Sequence, residues 1–315
     1  MTTTVIPLGT ASALPAAGRH LPAFALERKG RVWLFDCGEG TQYRLKAAGL
    51  KRTRVDGIFI THFHGDHWYG LLGLLSSLQL LERTDPVTLV GPAGLRELLR
   101  AVPGANPADW SFPLRIVELD ADFTHAVVAE TDEIIVETRP LAHGTFAAGF
   151  RFEEKPRPGR LNAEAARALG VPDGPALGRL KAGEPVTLDD GTTVSPEQVV
   201  GPERPGLVVA YVTDTRPCDA GRRLATAADL LVHEATFGEE LADRAVTTGH
   251  ATAREAATVA RDAAAERLLL THFSARYPAP DRLVQEARAV FSNTDAAREL
   301  NRYVLDPRDK EPPPG

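Results

Sequence analysis

At 315 residues, with 43% hydrophobic and 25% charged content, the chain is long enough to bury a full core as one large domain, with or without an insertion. Its formal net charge of −6 argues against attraction of nucleic acid to the whole surface and leaves local patches open. Two cysteines, Cys37 and Cys218, are too few for a disulfide framework or a thiolate zinc site, so any metal has to be held by histidine and carboxylate.

In chain order, β-branched and apolar runs predict strands, and Ala/Leu/Arg-rich stretches predict helices. A strand over 32–37 leads to a helix over 41–48, a strand over 57–60 to a helix over 68–81, and a strand over 87–90 to a helix over 94–101. A strand over 134–138 precedes a helix over 163–169. Strands over 207–213 and 229–233, a helix over 252–265, a strand over 267–271 and a helix over 280–290 complete the series. This alternation predicts an α/β fold in which sheets are covered by helices. The stretch 153–205 carries EKPRPGR, GVPDGPALGR and VVGPERPG, rich in Gly and Pro, and reads as an insertion into a single domain spanning 1–308. The tail DKEPPPG, 309–315, reads as disordered. No apolar run reaches 18 residues, and MTTTVIPLGT lacks the basic start and apolar centre of a signal peptide. No membrane span is expected, and a cytoplasmic location is the default.

Polar residues gather where the predicted strands end. GIFI stops at THFHGDH, EIIVETRPLA at His143, LVVAYVT at Asp214, DLLVH at Glu234 and RLLLT at His272. In open α/β folds ligands sit beyond the carboxyl ends of strands, where loops carry polar groups on a rigid support. After a strand, His62, His64 and Asp66 project to one side with period two, while His67 begins a helix and reaches in from another direction. Neutral imidazoles and carboxylates suit zinc. Adjacent ligands would crowd one ion, whereas two ions ~3.5–4 Å apart relieve the crowding. His143, Asp214 and His272 are then the distant ligands that complete a two-metal site. His20, His125 and His233 show no ligand spacing and read as surface or packing residues.

The HFHGDH run, with LGTASALP at 8–15, LFDCGEGTQ at 34–42, GVPDGPALGRLKAG at 170–183, DTRP at 214–217, HEATF at 233–237, GHAT at 249–252 and THFSARY at 271–277, resembles bacterial ribonuclease Z, the tRNA 3′-processing endonuclease family of the metallo-β-lactamase superfamily. The resemblance implies a metallo-β-lactamase αββα sandwich of two mixed sheets faced by helices, assembled as a homodimer. It implies two Zn²⁺ per subunit, one held by His62, His64 and His143, the other by Asp66, His67 and His272, with Asp214 bridging. Mn²⁺ or Co²⁺ are substitutes that the same donors accept. Asp36 resembles the family's buried carboxylate that orients ligand histidines; its plainer reading is a cap on the turn at 38–41. Thr213 stands where the family usually has Gly, GLLGLL replaces GLPGLL, and Gly18-Arg19-His20 replaces an Arg-Asn pair; none of these changes removes a ligand.

By the same resemblance the substrate is precursor tRNA, and 153–205 is the arm that grips it. From 151 to 181, seven basic side chains face four acidic ones, a local reversal of +3 in an acidic chain. A second basic run, Arg44, Lys46, Lys51, Arg52 and Arg54, reads either as phosphate contacts or as a solvated helix end. Two zincs would lower the pKa of a shared water toward ~7, and attack on phosphorus would release the 3′ trailer. His250, just before a capping-box pattern, is the candidate proton donor, with Glu234 either its partner or a loop hydrogen-bonding group. Asp66, besides ligating metal, either orients the attacking hydroxide or serves as general base. The alternative function is a small-substrate metallo-phosphodiesterase of the same fold.

Overall fold

The computed structural model describes residues 2–16 and 18–306, so the predicted disordered tail at 309–315 lies outside the described residues. The chain divides into a main unit, up to residue 153 and again from 207 to 306, and a small unit over 154–206.

The elements in chain order are β1 (Thr3–Gly9), β2 (Ala23–Arg28), β3 (Arg31–Phe35), α1 (Thr41–Ala47), β4 (Val55–Phe59), α2 (Gly65–Trp68), α3 (Leu71–Leu80), β5 (Val87–Pro92), α4 (Leu95–Ala101), β6 (Leu114–Leu119), β7 (Ala126–Glu130), β8 (Ile134–Pro140) and β9 (Ala148–Glu154). The small unit contributes α5 (Ala163–Ala168), α6 (Pro175–Lys181) and the hairpin of β10 (Val186–Thr187) with β11 (Thr193–Val194). There follow β12 (Val208–Val212), α7 (Asp219–Ala225), β13 (Leu230–Glu234), α8 (Ala242–Thr248), α9 (Ala253–Asp262), β14 (Leu268–Thr271), α10 (Asp281–Arg288), β15 (Thr294–Ala296) and β16 (Tyr303–Leu305).

The main unit holds two seven-stranded mixed sheets, β16-β1-β2-β3-β4-β5-β6 and β15-β14-β13-β12-β9-β8-β7. In the first, β3 to β6 run parallel; in the second, β12 to β15 do. Alternation along the strands decides how the layers stack. On β3, Trp33 and Phe35 point into the space between the sheets while Val32 and Leu34 point to the helices. On β12, Val209 and Tyr211 face the other sheet, and Val208, Ala210 and Val212 face outward. Both faces of these strands are buried, so they read as continuous apolar runs, as parallel strands covered on two sides should.

Aromatic rings fill the inter-sheet layer. Phe35 stacks on Phe59 at 5.3 Å, Phe59 meets Phe150 at 5.5 Å, and Trp33 meets Phe152 edge-on at 5.3 Å. Outside the first sheet lie Leu45 of α1, Leu71, Leu74, Leu75 and Leu78 of α3, and Leu95 and Leu99 of α4. Outside the second, α9 buries Ala253, Ala256, Ala257 and Ala260, one face of a 3.6-residue period. Small side chains there leave the backbone free to approach the sheet closely. The αββα sandwich is thus formed from three apolar layers.

The small unit has its own apolar cluster, Ala166, Val171, Leu180, Val186, Val194 and Val199. Its hairpin and α6 were hidden by the Gly and Pro density of the sequence.

Several strands escaped the sequence pattern. β1 carries Pro7 and a register shift before Gly9, both of which weaken a strand signal. β2 reads AFALER, a composition that favours helices. The predicted helix over 68–81 is two helices, α2 and α3, separated at Gly70. Its N–H donates to Cys37 O at 2.9 Å, and Cys37 N–H donates to His67 O at 2.7 Å, so the turn after β3 is laced to the junction. A Cβ on Gly70 would lie 2.1 Å from Gly38 O.

Gly70→Ala therefore sets methyl against backbone that cannot give way. The expected outcome is a loss of about 1–3 kcal/mol, read as a lowered urea midpoint with unchanged slope. An unchanged midpoint would refute the close approach.

Candidate metal centre

Strands β4, β8, β12, β13 and β14 deliver their polar ends to one pocket. β4 ends at Phe59, and extended residues carry Thr61, His62 and His64 out of it before α2 turns back with Asp66 and His67. Asp66 therefore does not continue a period-two projection; it sits on a helical turn beside His67. His143 follows β8, Asp214 follows β12, and His272 follows β14.

The structure brings all seven predicted ligand residues together. His62, His64, His143 and Asp214 form one group whose donor atoms lie within 4.8 Å of one another, and Asp66, His67 and His272 form a second. Asp214 joins them: its Oδ2 lies 3.6 Å from His62 Nε2, while its Oδ1 lies 3.4 Å from His67 Nε2 and 3.2 Å from His272 Nε2. Asp66 Oδ2 lies 3.5 Å from His67 Nε2 and 3.7 Å from His272 Nε2. His62, His67, Asp214 and His272 are buried, whereas His143 is half-buried and His64 exposed, so the pocket opens on the His64 side.

Hydrogen bonds behind the rings fix which nitrogen faces inward. Asp36 accepts from Thr61 N and Thr61 Oγ1, each at 2.9 Å, from Tyr211 OH at 3.0 Å and from His67 Nδ1 at 2.7 Å. Since the Thr61 hydroxyl proton goes to Asp36, its oxygen accepts from His62 Nδ1 at 2.9 Å. The same relay recurs across the pocket: Thr236 Oγ1 donates to Glu234 Oε2 at 2.6 Å and accepts from His272 Nδ1 at 2.9 Å. His143 Nδ1 donates to Gly249 O at 2.9 Å. In His62, His67, His143 and His272 the proton is thereby assigned to Nδ1, and Nε2 presents a lone pair to the centre.

Those lone pairs need a positive partner. His67 Nε2 and His272 Nε2 are buried without a hydrogen-bond partner, a costly condition for polar atoms. His62 Nε2, by contrast, accepts from His64 Nδ1 at 2.9 Å. Burial, with neighbouring imidazoles, lowers the pKa values of His62 and His64. At His67 burial works in the same direction, but Asp214 and Asp36 outweigh it and raise the ring well above its usual value. A cation between these donors supplies the compensation that a proton on His67 would otherwise provide. Imidazole and carboxylate donors in two groups sharing Asp214 fit divalent metal.

Backbone conformation also marks the pocket. Asp36, Asp214 and His272 adopt φ of 60°, 53° and 57°, a left-handed region that non-glycine residues seldom occupy.

His250, half-buried, places Nδ1 3.0 Å from Oε1 of the fully buried Glu234. Burial opposes an imidazolium there, but Glu234 raises His250 to about 9; Glu234, despite its own burial, is held down at about 2 by His250. Glu234 also accepts from Thr215 N at 2.6 Å.

The histidines without ligand spacing stay outside the ligand set. His20 faces Glu299 at 2.7 Å and His125 faces Glu137 at 3.4 Å, while His233 is buried with Nδ1 donating to Glu234 O. Arg44 donates to Leu8 O and Glu299, which removes it from the basic run as a phosphate contact. Sequence reasoning overlooked Thr61, Tyr211, Thr236 and Gly249. The threonines two residues past the ends of β4 and β13, close in sequence to a candidate ligand or to Glu234, were the available signal.

Comparison with known proteins gives a consistent result. A family profile described as anti-Pycsar protein Apyc1 matches residues 3–102, and one described as a beta-lactamase superfamily domain matches 181–273. The chain is 64% identical to ribonuclease Z of Salinibacter ruber, over 98% of this chain and 97% of that one. It is 43% identical to ribonuclease Z of Bacillus licheniformis, over 95% of this chain and 97% of that one. The crystal structure of human tRNase Z, short form, superposes with a TM-score of 0.68 at 27% identity, covering 97% of this chain and 99% of the human one.

Asp36 receives four donors and has no spare acceptor to trade. Asp36→Asn turns an NH₂ toward donors on one side, with an expected cost of about 1–3 kcal/mol in chemical denaturation. Wild-type stability in this variant would overturn the donor assignment.

Proposed function

The chain belongs to the ribonuclease Z family, tRNA 3′-processing endoribonucleases of the metallo-β-lactamase fold, and we propose that its strand-end pocket removes the 3′ trailer from tRNA precursors using two zinc ions. The observation that carries this reading is the pair of buried Nε2 atoms of His67 and His272, which make no hydrogen bond and face the carboxylates of Asp66 and Asp214. His62, His64 and His143 would hold one ion, Asp66, His67 and His272 the other, and Asp214 both. Mn²⁺ or Co²⁺ suits the same donors. Two such ions, when bound, neutralise phosphodiester oxygens and make water nucleophilic near neutral pH.

This chain's own residues do the rest. A water oxygen forms a bond to phosphorus as the P–O3′ bond breaks, leaving a 3′-OH on the tRNA and a 5′-phosphate on the trailer. The departing O3′ needs a proton, and His250, kept as imidazolium by Glu234, supplies it from Nε2. Asp66 Oδ2, fixed by Ala13 N–H at 2.9 Å, orients the attacking water or accepts its proton. His64 stands at the open side, where the scissile strand enters.

The unit over 154–206 is the arm that grips the body of the tRNA. Its support is the basic balance of 151–181, although Arg167 and Arg179 are partly offset by Asp173 and Glu184. Exposed Tyr43, Tyr69 and Leu80 on the first-sheet side offer apolar area for a homodimer. Among the described residues no helix is long and apolar enough to cross a membrane, and we place the enzyme in the cytoplasm, where its substrate is made.

The test is end-mapping of a labelled precursor bearing a 3′ trailer. One cut after the discriminator nucleotide is expected, abolished by Asp66→Ala, lowered about 10²–10⁴-fold in kcat by His250→Ala, and raised mainly in KM by deleting 154–206. Metal analysis should return two ions per chain in the wild type. Failure to cut, with undiminished hydrolysis of a small phosphodiester by the deletion variant, would move the assignment to a small-substrate phosphodiesterase.

A further inference from the structure

Arg216 lies two residues beyond Asp214, and the proposed chemistry leaves it without a task. Its contacts join three segments. The backbone N–H donates to Ala142 O at 2.7 Å, next to His143. The guanidinium donates through Nη1 to His250 O at 2.5 Å and to Glu255 Oε2 at 2.8 Å, and through Nη2 to Glu255 Oε1, closing a fork. Glu255 is itself fixed, since Oε2 accepts from Thr252 N at 2.9 Å in the capping box of α9.

What lies between these contacts is the segment 249–252. Gly249 O takes the Nδ1 proton of His143, and the next residue presents His250 to the pocket. The two segments are pressed together: Gly249 has φ +73°, and a Cβ there would lie 3.0 Å from both His143 Nδ1 and Gly144 N. A shift of this backbone by a few tenths of an ångström would disturb both the orientation of a ligand ring and the placement of a proton donor. Other bonds hold the His250 side: its N–H donates to Ala245 O at 2.8 Å, and its ring faces Glu234. Arg216 holds the carbonyl side and, through Ala142, the His143 side.

We infer that Arg216 is a positioning residue that sets His143 and His250 relative to each other, acting through the backbone of 249–252 and through Glu255. Its guanidinium acts through His250 O and Glu255. A forked guanidinium suits the task because it serves a carboxylate and a carbonyl at once; a lysine ammonium of similar reach cannot reproduce that fork. The inference rests on the proposed roles of His143 and His250.

The test uses the full-length protein with Arg216→Gln, Arg216→Lys and Glu255→Gln. Each is expected to lower kcat on the tRNA precursor by about tenfold or more with KM within about twofold, and Arg216→Lys should fall between Arg216→Gln and wild type. Chelator competition without substrate should show one of the bound zinc equivalents released about tenfold more readily, the scale expected when the support of a ligand histidine is removed. Urea midpoints should stay close to wild type.

Wild-type kcat and wild-type zinc retention in all three variants would overturn the inference. So would a loss of kcat that only follows the fraction unfolded. If the wild type itself fails to cut the precursor, the proposed function falls, while the chelator competition still reads the tie between Arg216 and His143.

Discussion

Each of four histidines gives its Nδ1 proton to the fold. Asp36, Thr61, Thr236 and Gly249 O receive those protons, so the rings of His67, His62, His272 and His143 cannot turn their lone pairs anywhere but inward. The rest of the pocket follows from that constraint. Once Nε2 points to the centre in each case, two carboxylates suffice to divide the donors into groups, and Asp214 uses one oxygen toward each.

The receivers are fixed by the core. Asp36 sits at the end of β3 under the inter-sheet layer, where Tyr211 of the opposite sheet sends its hydroxyl across to it. Tyr211 also packs against Phe24 at 5.4 Å and Phe35 at 5.5 Å, so one side chain belongs both to the apolar layer and to the polar floor beneath the pocket histidines. A buried tyrosine needs a partner for its O–H, and Asp36 needs donors; each meets the other's requirement. The packing of the two sheets thus determines where the His67 ring stands. On the second sheet Thr236 and Glu234 connect the end of β13 to His272 and His250 in the same manner. The two halves of the pocket use one device twice: a carboxylate, a threonine hydroxyl and a histidine Nδ1.

Much of this was legible in the residues. The runs VDGIFI, LVVAYVT, DLLVH and RLLLT are apolar on both faces because helices and a second sheet cover them, and that made their ends visible as the places where polar side chains begin. The clustering of His62, His64, Asp66 and His67 within six positions pointed to the pocket where these side chains meet. The supports were harder to see. Thr61, Thr236 and Tyr211 are ordinary residues for strands and strand ends, and their roles depend on which donor reaches which acceptor across the pocket, information carried by the fold. Gly249 is similar: only its contact with His143 separates it from any helix-terminating glycine. Edge strands such as β15 and β16, three residues each, are too short for a periodic signal. The helix break at Gly70 was missed because Trp68-Tyr69-Gly70-Leu71 keeps an apolar pattern through the junction; the fold breaks it where Gly38 and Cys37 come too close to admit a straight helix.

The pocket carries energetic costs that the rest of the fold has to offset. Two imidazole nitrogens are buried without a hydrogen bond, Asp66 and Asp214 lie within about 4 Å of the same two nitrogens, and three residues adopt left-handed backbone conformations that cost on the order of 1 kcal/mol or more each. Such an arrangement persists because the surroundings over-determine it: aromatic packing between the sheets on one side, the laced turn at Cys37, His67 and Gly70 on another. A divalent cation relieves the carboxylate repulsion and satisfies the lone pairs at one stroke, and any ligand that binds the folded chain in preference to the unfolded one stabilises it by mass action. The scaffold is then best understood as storing geometry rather than stability at this end. Its apolar layers supply the stability, and the strand ends use part of it to keep the donors facing one another.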